Sequence, residues 1–134
     1  MKRFAALAAL VGLVLVGLSC GGGDSGTGPS SPDPGPVNLV LTTPNSNDGA
    51  LLLSITGGTV TSVAQQGYEV LASAPGATTK LLVRGTIAGG PIATITVPDR
   101  HKLTSYHVTV LQAAARGTYQ QLAVQSYSAA LIGP

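Results

Sequence analysis

The densest cluster of side chains able to do acid–base chemistry is Asp99-Arg100-His101-Lys102. Asp99 and His101, joined by a serine, would supply the residue types of a hydrolytic triad, in which histidine takes the serine proton and aspartate orients the histidine. Residues 37–134 contain no Gly-x-Ser-x-Gly elbow to present such a serine. Because the cluster follows Pro98, we instead predict a solvated loop there, with no catalytic residue and no enzyme activity.

A faint calcium-loop pattern lies at Asn45, Asn47 and Asp48, which offer oxygen ligands before the second apolar run. Calcium takes about six to eight oxygen ligands, several of them from carboxylates. This stretch has a single carboxylate, so we predict a turn and no metal site.

The two histidines, His101 and His107, could hold zinc only with further ligands that the sequence does not supply. His107 is predicted to be an exposed strand residue. Gly89-Gly90 is typical of a hairpin and not of a nucleotide-binding loop. The sequence therefore predicts neither a metal nor a cofactor.

Aromatic rings that could stack on a sugar are few, because the chain has no tryptophan and four tyrosines. Each tyrosine could equally fill the core. Tyrosines grouped on one open face would favour a glycan ligand, whereas an apolar or Thr/Ser-rich sheet face without rings would favour a protein partner. The four are Tyr68, Tyr106, Tyr119 and Tyr127.

The single cysteine, Cys20, ends an apolar run that follows the cationic leader Met1-Lys2-Arg3. A short uncharged run after basic residues is typical of a signal peptide. Spanning a membrane takes roughly 20 apolar residues, more than residues 4–18 supply. A lone cysteine cannot form a disulfide within its own chain, so attachment is the use that its position indicates.

Gly17-Leu18-Ser19-Cys20 resembles the lipobox of bacterial lipoproteins, in which a small residue precedes the cysteine that becomes the mature N-terminus. The resemblance implies a signal peptide over residues 1–19 and a diacylglycerol on the Cys20 thiol. Gly17 stands where the lipobox usually has leucine. Gly21 follows the cysteine, which favours the outer membrane or the cell surface over retention at the inner membrane.

Residues 20–36 are rich in glycine, proline and serine, a composition that predicts a disordered linker with a span of roughly 20–25 Å. Residues 37–134 then form a single domain. Lys2 and Arg3 account for two of the seven basic residues, so the remaining five balance five acidic residues. We therefore predict no nucleic-acid partner.

Alternating apolar and polar residues predict β-strands throughout residues 37–134. Short strands at regular spacing indicate a sandwich or barrel, and we predict a single β-sandwich, jelly-roll or immunoglobulin-like, of about eight or nine strands. A helical turn could form at residues 113–115. The predicted strands are 37–42, 51–56, a short one near Val60 and Val63, 68–73, 79–85, 91–97, 105–112 and 118–132. The predicted core includes Leu51, Leu53, Ile55, Val70, Ile95, Val108 and Val110.

Residues 48–57, DGALLLSITG, resemble the early strand of cohesin-type modules, and residues 89–97, GGPIATITV, are similar to a later strand of the same modules. The resemblance implies a jelly-roll sandwich related to carbohydrate-binding modules and used for protein attachment. It carries over no binding residue.

These patterns together predict a lipid-anchored module of the bacterial envelope or cell surface that mediates protein–protein interaction without catalysis. The alternative is a module that binds envelope or extracellular carbohydrate.

Overall fold

The protein is an all-β molecule in the part of the chain that its computed structural model describes, residues 30–134, as the sequence predicts. Its strands are β1 Gly35–Thr42, β2 Asp48–Thr56, β3 Ser62–Gln65, β4 Glu69–Ala72, β5 Thr79–Ile87, β6 Gly90–Val97, β7 His107–Ala115, β8 Gln121–Leu122 and β9 Ser128–Ile132. A 3-10 helix, Arg100–Ser105, joins β6 to β7. The predicted signal peptide, Cys20 and the first part of the linker lie outside the described residues. Within residues 30–134, no helix is both long enough and apolar enough to cross a membrane.

The strands pair antiparallel in the order β3-β6-β1-β9-β7-β2-β5-β4, with β8 beside β7. β3 and β4 stand at opposite ends of this order, yet residues 66–68 alone join them along the chain. The sheet must therefore curl until its two ends lie side by side. At its middle, β7 and β9 are joined by a single residue pair, Val108 with Ala129.

The inward faces of the curled sheet form one hydrophobic cluster. Strand alternation explains most of it, because buried residues alternate with less buried ones along most of β1, β2, β5 and β6. Of the seven predicted core residues, six are buried, and the seventh, Val108, is half-buried and packs against the cluster. The core prediction is thus confirmed in its main part.

β7 departs from the predicted pattern at both ends. The strand starts at His107, because residues 100–105 form the 3-10 helix and Tyr106 caps it. The predicted helical turn at residues 113–115 is wrong, since these residues pair with β2 as strand. A shift in register next to Leu53 leaves Leu111 exposed and returns Ala113 to the core.

The predicted strand 118–132 is divided in two. Residues 121–122 pair with β7 as β8, whereas residues 128–132 pair with β1 as β9. The chain between them has to pass from one part of the sheet to another, which no pattern in the segment itself specifies.

The strands give the molecule two ends, which we call the linker pole and the distal pole. Thr56 pairs with His107 and Gly35 pairs with Val97 at the linker pole, where the chain enters β1. At the distal pole, the start of β2 meets the end of β5 and the end of β7. A strand of nine residues such as β2 separates the two poles by roughly 27 Å.

Candidate functional site

The acid–base cluster predicted from the sequence lies at the linker pole, where it holds the entering chain. Asp99 caps the 3-10 helix, and its Oδ1 accepts hydrogen bonds from the backbone N–H of His101 at 3.0 Å and of Asp33 at 3.2 Å. Arg100 donates to both carboxylate oxygens of Asp33 through Nε and one terminal nitrogen, each at 3.0 Å. We call Asp33, Asp99 and Arg100 the linker latch.

The linker latch also shifts the acidities of its own groups. The Arg100 hydrogen bonds lower the pKa of Asp33, and the backbone N–H groups of His101 and then Asp33 lower the pKa of Asp99. The same pairing raises the pKa of Arg100. All three side chains are therefore held in their charged forms, which suits a structural contact.

The prediction of a solvated loop after Pro98 is wrong in part, because Asp99 is buried and the segment is a capped helix, whereas His101 and Lys102 are exposed as predicted. His101 Nδ1 does lie 3.3 Å from Asp99 Oδ1, as the histidine and aspartate of a triad would. The hydroxyl of Ser105, the serine of this helix, donates to the carbonyl of Lys102 at 2.8 Å. The Ser105 hydroxyl therefore has its hydrogen-bond acceptor within the helix.

The ordered chain begins before Val37, the residue at which composition alone places the start of the domain. Gly35 and Pro36 already pair with β6, and Asp33 is held by the linker latch. Glycine and proline content predicts disorder from the local composition alone. It does not take into account a stabilising contact with a residue 67 positions away, such as Arg100 with Asp33.

The predicted turn at Asn45 and Asp48 is held by a polar network around the buried Asp48 carboxylate, which we call the turn clasp. Asp48 is 1% exposed, and its carboxylate accepts from Thr43 Oγ1 at 2.6 Å, Asn45 Nδ2 at 3.0 Å and the Tyr127 hydroxyl at 2.9 Å. Asn45 Nδ2 also donates to the Tyr127 hydroxyl at 2.8 Å. Burial, followed by the bond to Asp48, raises the pKa of Tyr127.

The turn clasp places donors around the Asp48 carboxylate, the group that the calcium-loop pattern would offer to a metal. Asn45 and Asn47, the two amides of that pattern, are both exposed. Residues 30–134 contain no group of three or more His, Cys, Asp or Glu side chains arranged to hold a metal ion. His107 is exposed on β7, as predicted.

The four tyrosines divide into two structural residues and two that line an open groove. Tyr127 is buried in the turn clasp, and Tyr106 is half-buried at the linker pole, where its hydroxyl donates to the Thr59 carbonyl at 2.7 Å. Burial raises the pKa of Tyr106. Tyr68 and Tyr119 line the same groove at the distal pole, where Tyr68 is half-buried and also packs against the core and Tyr119 is exposed.

The distal groove has a volume of about 520 Å³. Its side chains come from the end of β5, the start of β4 and the turn that joins β7 to β8. The groove thus combines rings, charges and backbone from three elements. Its lining includes Tyr68, Glu69, Arg84, Gly85, Arg116 and Tyr119.

Backbone conformation sets the position of both rings. Gly85 has φ +148°, and a Cβ at this position would lie 3.0 Å from Cδ1 of Tyr68, so the ring rests against the glycine. Tyr119 has φ +54°, a left-handed conformation that is strained for a bulky residue. Hydrogen bonds between Ala115 and both Tyr119 and Gln120 hold that turn closed, and they leave the Tyr119 side chain 62% exposed.

The charges in the distal groove are two arginines and one glutamate. Arg84 lies 3.7 Å from Glu69, and both side chains are about half exposed. An exposed pair at this distance contributes little to stability. Among residues 30–134, Arg116 makes no salt bridge.

A line of leucines crosses the outer face of the sheet beside this groove. Leu71 of β4 pairs with Leu82 of β5, which pairs with Leu52 of β2. Leu71 is 53% exposed, and the other two are half-buried. We call these three residues the leucine row.

The leucine row and the distal groove meet at Tyr119. A second hollow, of about 260 Å³, is lined by Leu52, Leu82 and Tyr119 together with neighbouring residues of β2, β7 and β8. Tyr119 thus belongs to both depressions, and the outer face carries one continuous surface, apolar on one side and cationic on the other.

No family model, curated protein or solved structure matches this chain.

The resemblances to lipoproteins and to cohesin-type modules therefore stay predictions. The outer-face residues were not predicted from the sequence, although one signal for the leucine row was present. Leu51-Leu52-Leu53, Leu81-Leu82 and Val70-Leu71 place consecutive apolar residues in strands whose alternation calls for a polar residue on the outer face. The sequence carried no such signal for the charged residues of the groove. They lie on three separate elements, β5, β4 and the turn after β7, and only the fold brings them together: Arg84, Glu69 and Arg116.

Proposed function

We propose that this protein is a lipid-anchored, non-catalytic module of the bacterial envelope or cell surface that binds another protein through the leucine row. The observation that supports this most directly is the row itself. Three leucines at paired positions on an outer sheet face expose apolar area where solvated strands carry polar side chains. Exposed apolar surface of this kind marks interaction sites.

The arrangement of the two poles supports an anchored module. A lipid on Cys20 would attach the chain through a linker that reaches the fold at Asp33, at the linker pole. Two or more acyl chains give stable anchoring where one is marginal. The distal groove lies at the other pole, roughly 27 Å away, so a partner could approach it from the side opposite the membrane.

For the fold we propose a β-sandwich in preference to a closed barrel, in keeping with the jelly-roll and immunoglobulin-like alternatives. β7 and β9 share one residue pair, and β3 and β4 do not pair although they are neighbours. Breaks at these two places divide the strands into the groups β3-β6-β1-β9 and β7-β2-β5-β4, with β8 beside β7. Two facing groups around one core are the arrangement of a sandwich.

The hydrogen bonds that the acid–base residues already make are consistent with a binding role without catalysis. Asp99 is occupied by two backbone N–H groups, and Asp33 by Arg100. General acid–base catalysis needs a group within hydrogen-bond reach of a substrate and free to exchange its proton. The hydrogen bonds of the linker latch serve to hold the chain.

A carbohydrate ligand is the second candidate, and the grouping of Tyr68 and Tyr119 in one open groove favours it. Rings that are partly exposed can stack on the apolar faces of sugars. The leucine row favours the protein partner over this alternative, because a polysaccharide presents hydroxyl groups and no line of aliphatic side chains.

The experiment that separates these candidates is capture from envelope extract by the full chain in detergent, with and without competing polysaccharide. Leu71→Thr keeps a strand-forming residue while removing the most exposed leucine of the row. We expect it to weaken capture of the partner by about tenfold, since burying a leucine contributes about 1.5–3 kcal/mol.

The matched control is Ile132→Thr, which removes a side chain of similar exposure from β9, away from the leucine row. Capture of one protein that survives polysaccharide and Ile132→Thr but is lost with Leu71→Thr would support the proposal. Elution by polysaccharide with equal capture by both variants would favour the carbohydrate-binding alternative.

A further inference from the structure

The distal groove and the leucine row form one surface that is apolar at one side and positively charged at the other. This arrangement limits the kind of partner that can bind there. Leu71 and Leu82 are at the apolar side, Tyr119 is at the junction, and Arg84 and Arg116 are at the cationic side. A ligand that covers the whole surface must match both sides. From this we propose that the partner is a protein segment whose apolar side chains lie on the leucine row and whose carboxylate is bound by Arg116 and Arg84.

This inference rests on the proposed function, and it adds the chemistry of the partner. Two guanidinium groups and the single carboxylate of Glu69 leave one positive charge in the groove. Guanidinium groups bind carboxylates through paired, parallel N–H donors, which gives direction as well as attraction. A carboxylate on the partner would complete this charge balance.

The existing contacts leave room for such a carboxylate. Arg84 and Glu69 are 3.7 Å apart and about half exposed, so their pairing is loose and open to a second anion. Arg116 makes no salt bridge within residues 30–134. Its position near the left-handed Tyr119 places this cation and the most exposed tyrosine of residues 30–134 in the same turn.

The strain at Tyr119 supports a binding role for this turn. A tyrosine in the left-handed region is unfavourable, and such strain is concentrated at functional sites. Here the left-handed conformation places the exposed Tyr119 ring at the boundary between the distal groove and the second hollow. The ring contributes to the lining of both. A ring in that position can contact a peptide backbone that crosses from one side to the other.

A protein segment fits this surface better than an acidic glycan. The rings and arginines alone would suit a uronate sugar equally well. The leucine row does not, because it needs apolar side chains projecting from the ligand. An extended segment with alternating apolar residues and an adjacent acidic residue or chain terminus supplies both.

The test uses a library of short random peptides, displayed singly and selected on the full chain in detergent. We expect sequences that combine aliphatic residues with aspartate, glutamate or a free carboxyl end. Selection on Arg116→Gln should keep the aliphatic residues and lose the acidic ones, and a selected acidic peptide should bind this variant about tenfold more weakly.

The matched control is Lys80→Gln, which removes the same charge from an exposed position at the opposite end of β5. Equal weakening by Lys80→Gln and Arg116→Gln would reduce the effect to general charge attraction and overturn the inference. Selection of aliphatic peptides with no acidic preference, sensitive to Leu71→Thr alone, would overturn it while leaving the proposed function in place. If no peptide is selected and oligogalacturonate binds instead, both the inference and the protein-binding proposal fail.

Discussion

The turn clasp offers the sharpest test of how a polar contact between distant segments stabilises this fold. In Tyr127→Phe the ring still fills the same buried space, and the change removes only the hydroxyl. That hydroxyl donates to Asp48 Oδ1 at 2.9 Å and accepts from Asn45 Nδ2 at 2.8 Å. A buried carboxylate therefore loses one of its three donors.

The expected loss follows from these contacts. A hydrogen bond to a charged group contributes about 1.5–3 kcal/mol, and a buried acceptor left without a donor costs a similar amount. Asp48 keeps its bonds from Thr43 and Asn45, so we expect a loss of about 2 kcal/mol in the free energy of unfolding. For a domain of this size the thermal midpoint should fall by roughly 8–15 °C.

Urea unfolding at neutral pH, followed by far-UV circular dichroism, measures this directly. The control is Tyr119→Phe, the same chemical change at an exposed ring. Its midpoint should match that of the unaltered protein, and the denaturant slope should be the same in all three. A loss below about 0.5 kcal/mol in Tyr127→Phe, or equal losses in both variants, would refute the role given to the turn clasp.

Three further predictions concern the core, the linker latch and the anchor. Ile55→Ala should lower the free energy of unfolding by about 2–5 kcal/mol, whereas Thr56→Ala on the other face of β2 should change it little; equal losses in a urea titration would mean that the faces are assigned wrongly. Because Arg100 lowers the pKa of Asp33, the linker latch stabilises the fold at pH values above 3.8, the ordinary pKa of an aspartate. This stabilisation is lost as the pH falls through the lowered pKa of Asp33. Asp33→Asn should therefore reduce the fall in thermal midpoint between about pH 4.5 and 2.5, and an unchanged pH profile would contradict the latch. Cys20→Ala should move the protein from the membrane to the soluble fraction with its circular dichroism unchanged, while intact mass of the unaltered protein shows loss of residues 1–19 and added acyl mass; an unmodified Cys20 would reject lipidation.

Local pattern predicted most of the strands and most of the core. Leu51, Leu53 and Ile55 lie inward because side chains alternate along a strand, and one buried face follows from that alternation in any sheet. The turn at Asn45 to Asp48 was predicted for the same kind of reason, since these residue types favour turns wherever they occur. The strand pattern carried no information on which strands are neighbours.

The errors arose where a distant contact overrides a local preference. The proline- and glycine-rich chain at Gly35 and Pro36 is ordered, because β6 pairs with it and Arg100 holds Asp33. Residues 113–115 have good helix formers, yet they are strand because β2 lies alongside them. Asp99 was predicted to be solvated, and it is buried because the entering chain covers it.

By itself the sequence determined that the protein is all-β and which positions of most strands face the core, and the signal peptide and lipid anchor that it predicts stay predictions. Only the tertiary structure decided that Arg84 and Arg116 share a groove with Tyr68 and Tyr119, and that three leucines form a row. The physical reason is that alternation depends on neighbours two residues apart, whereas a surface depends on strand order and register. Those are determined by the packing of the whole sheet around one core, so the candidate binding surface could not be read from any one segment.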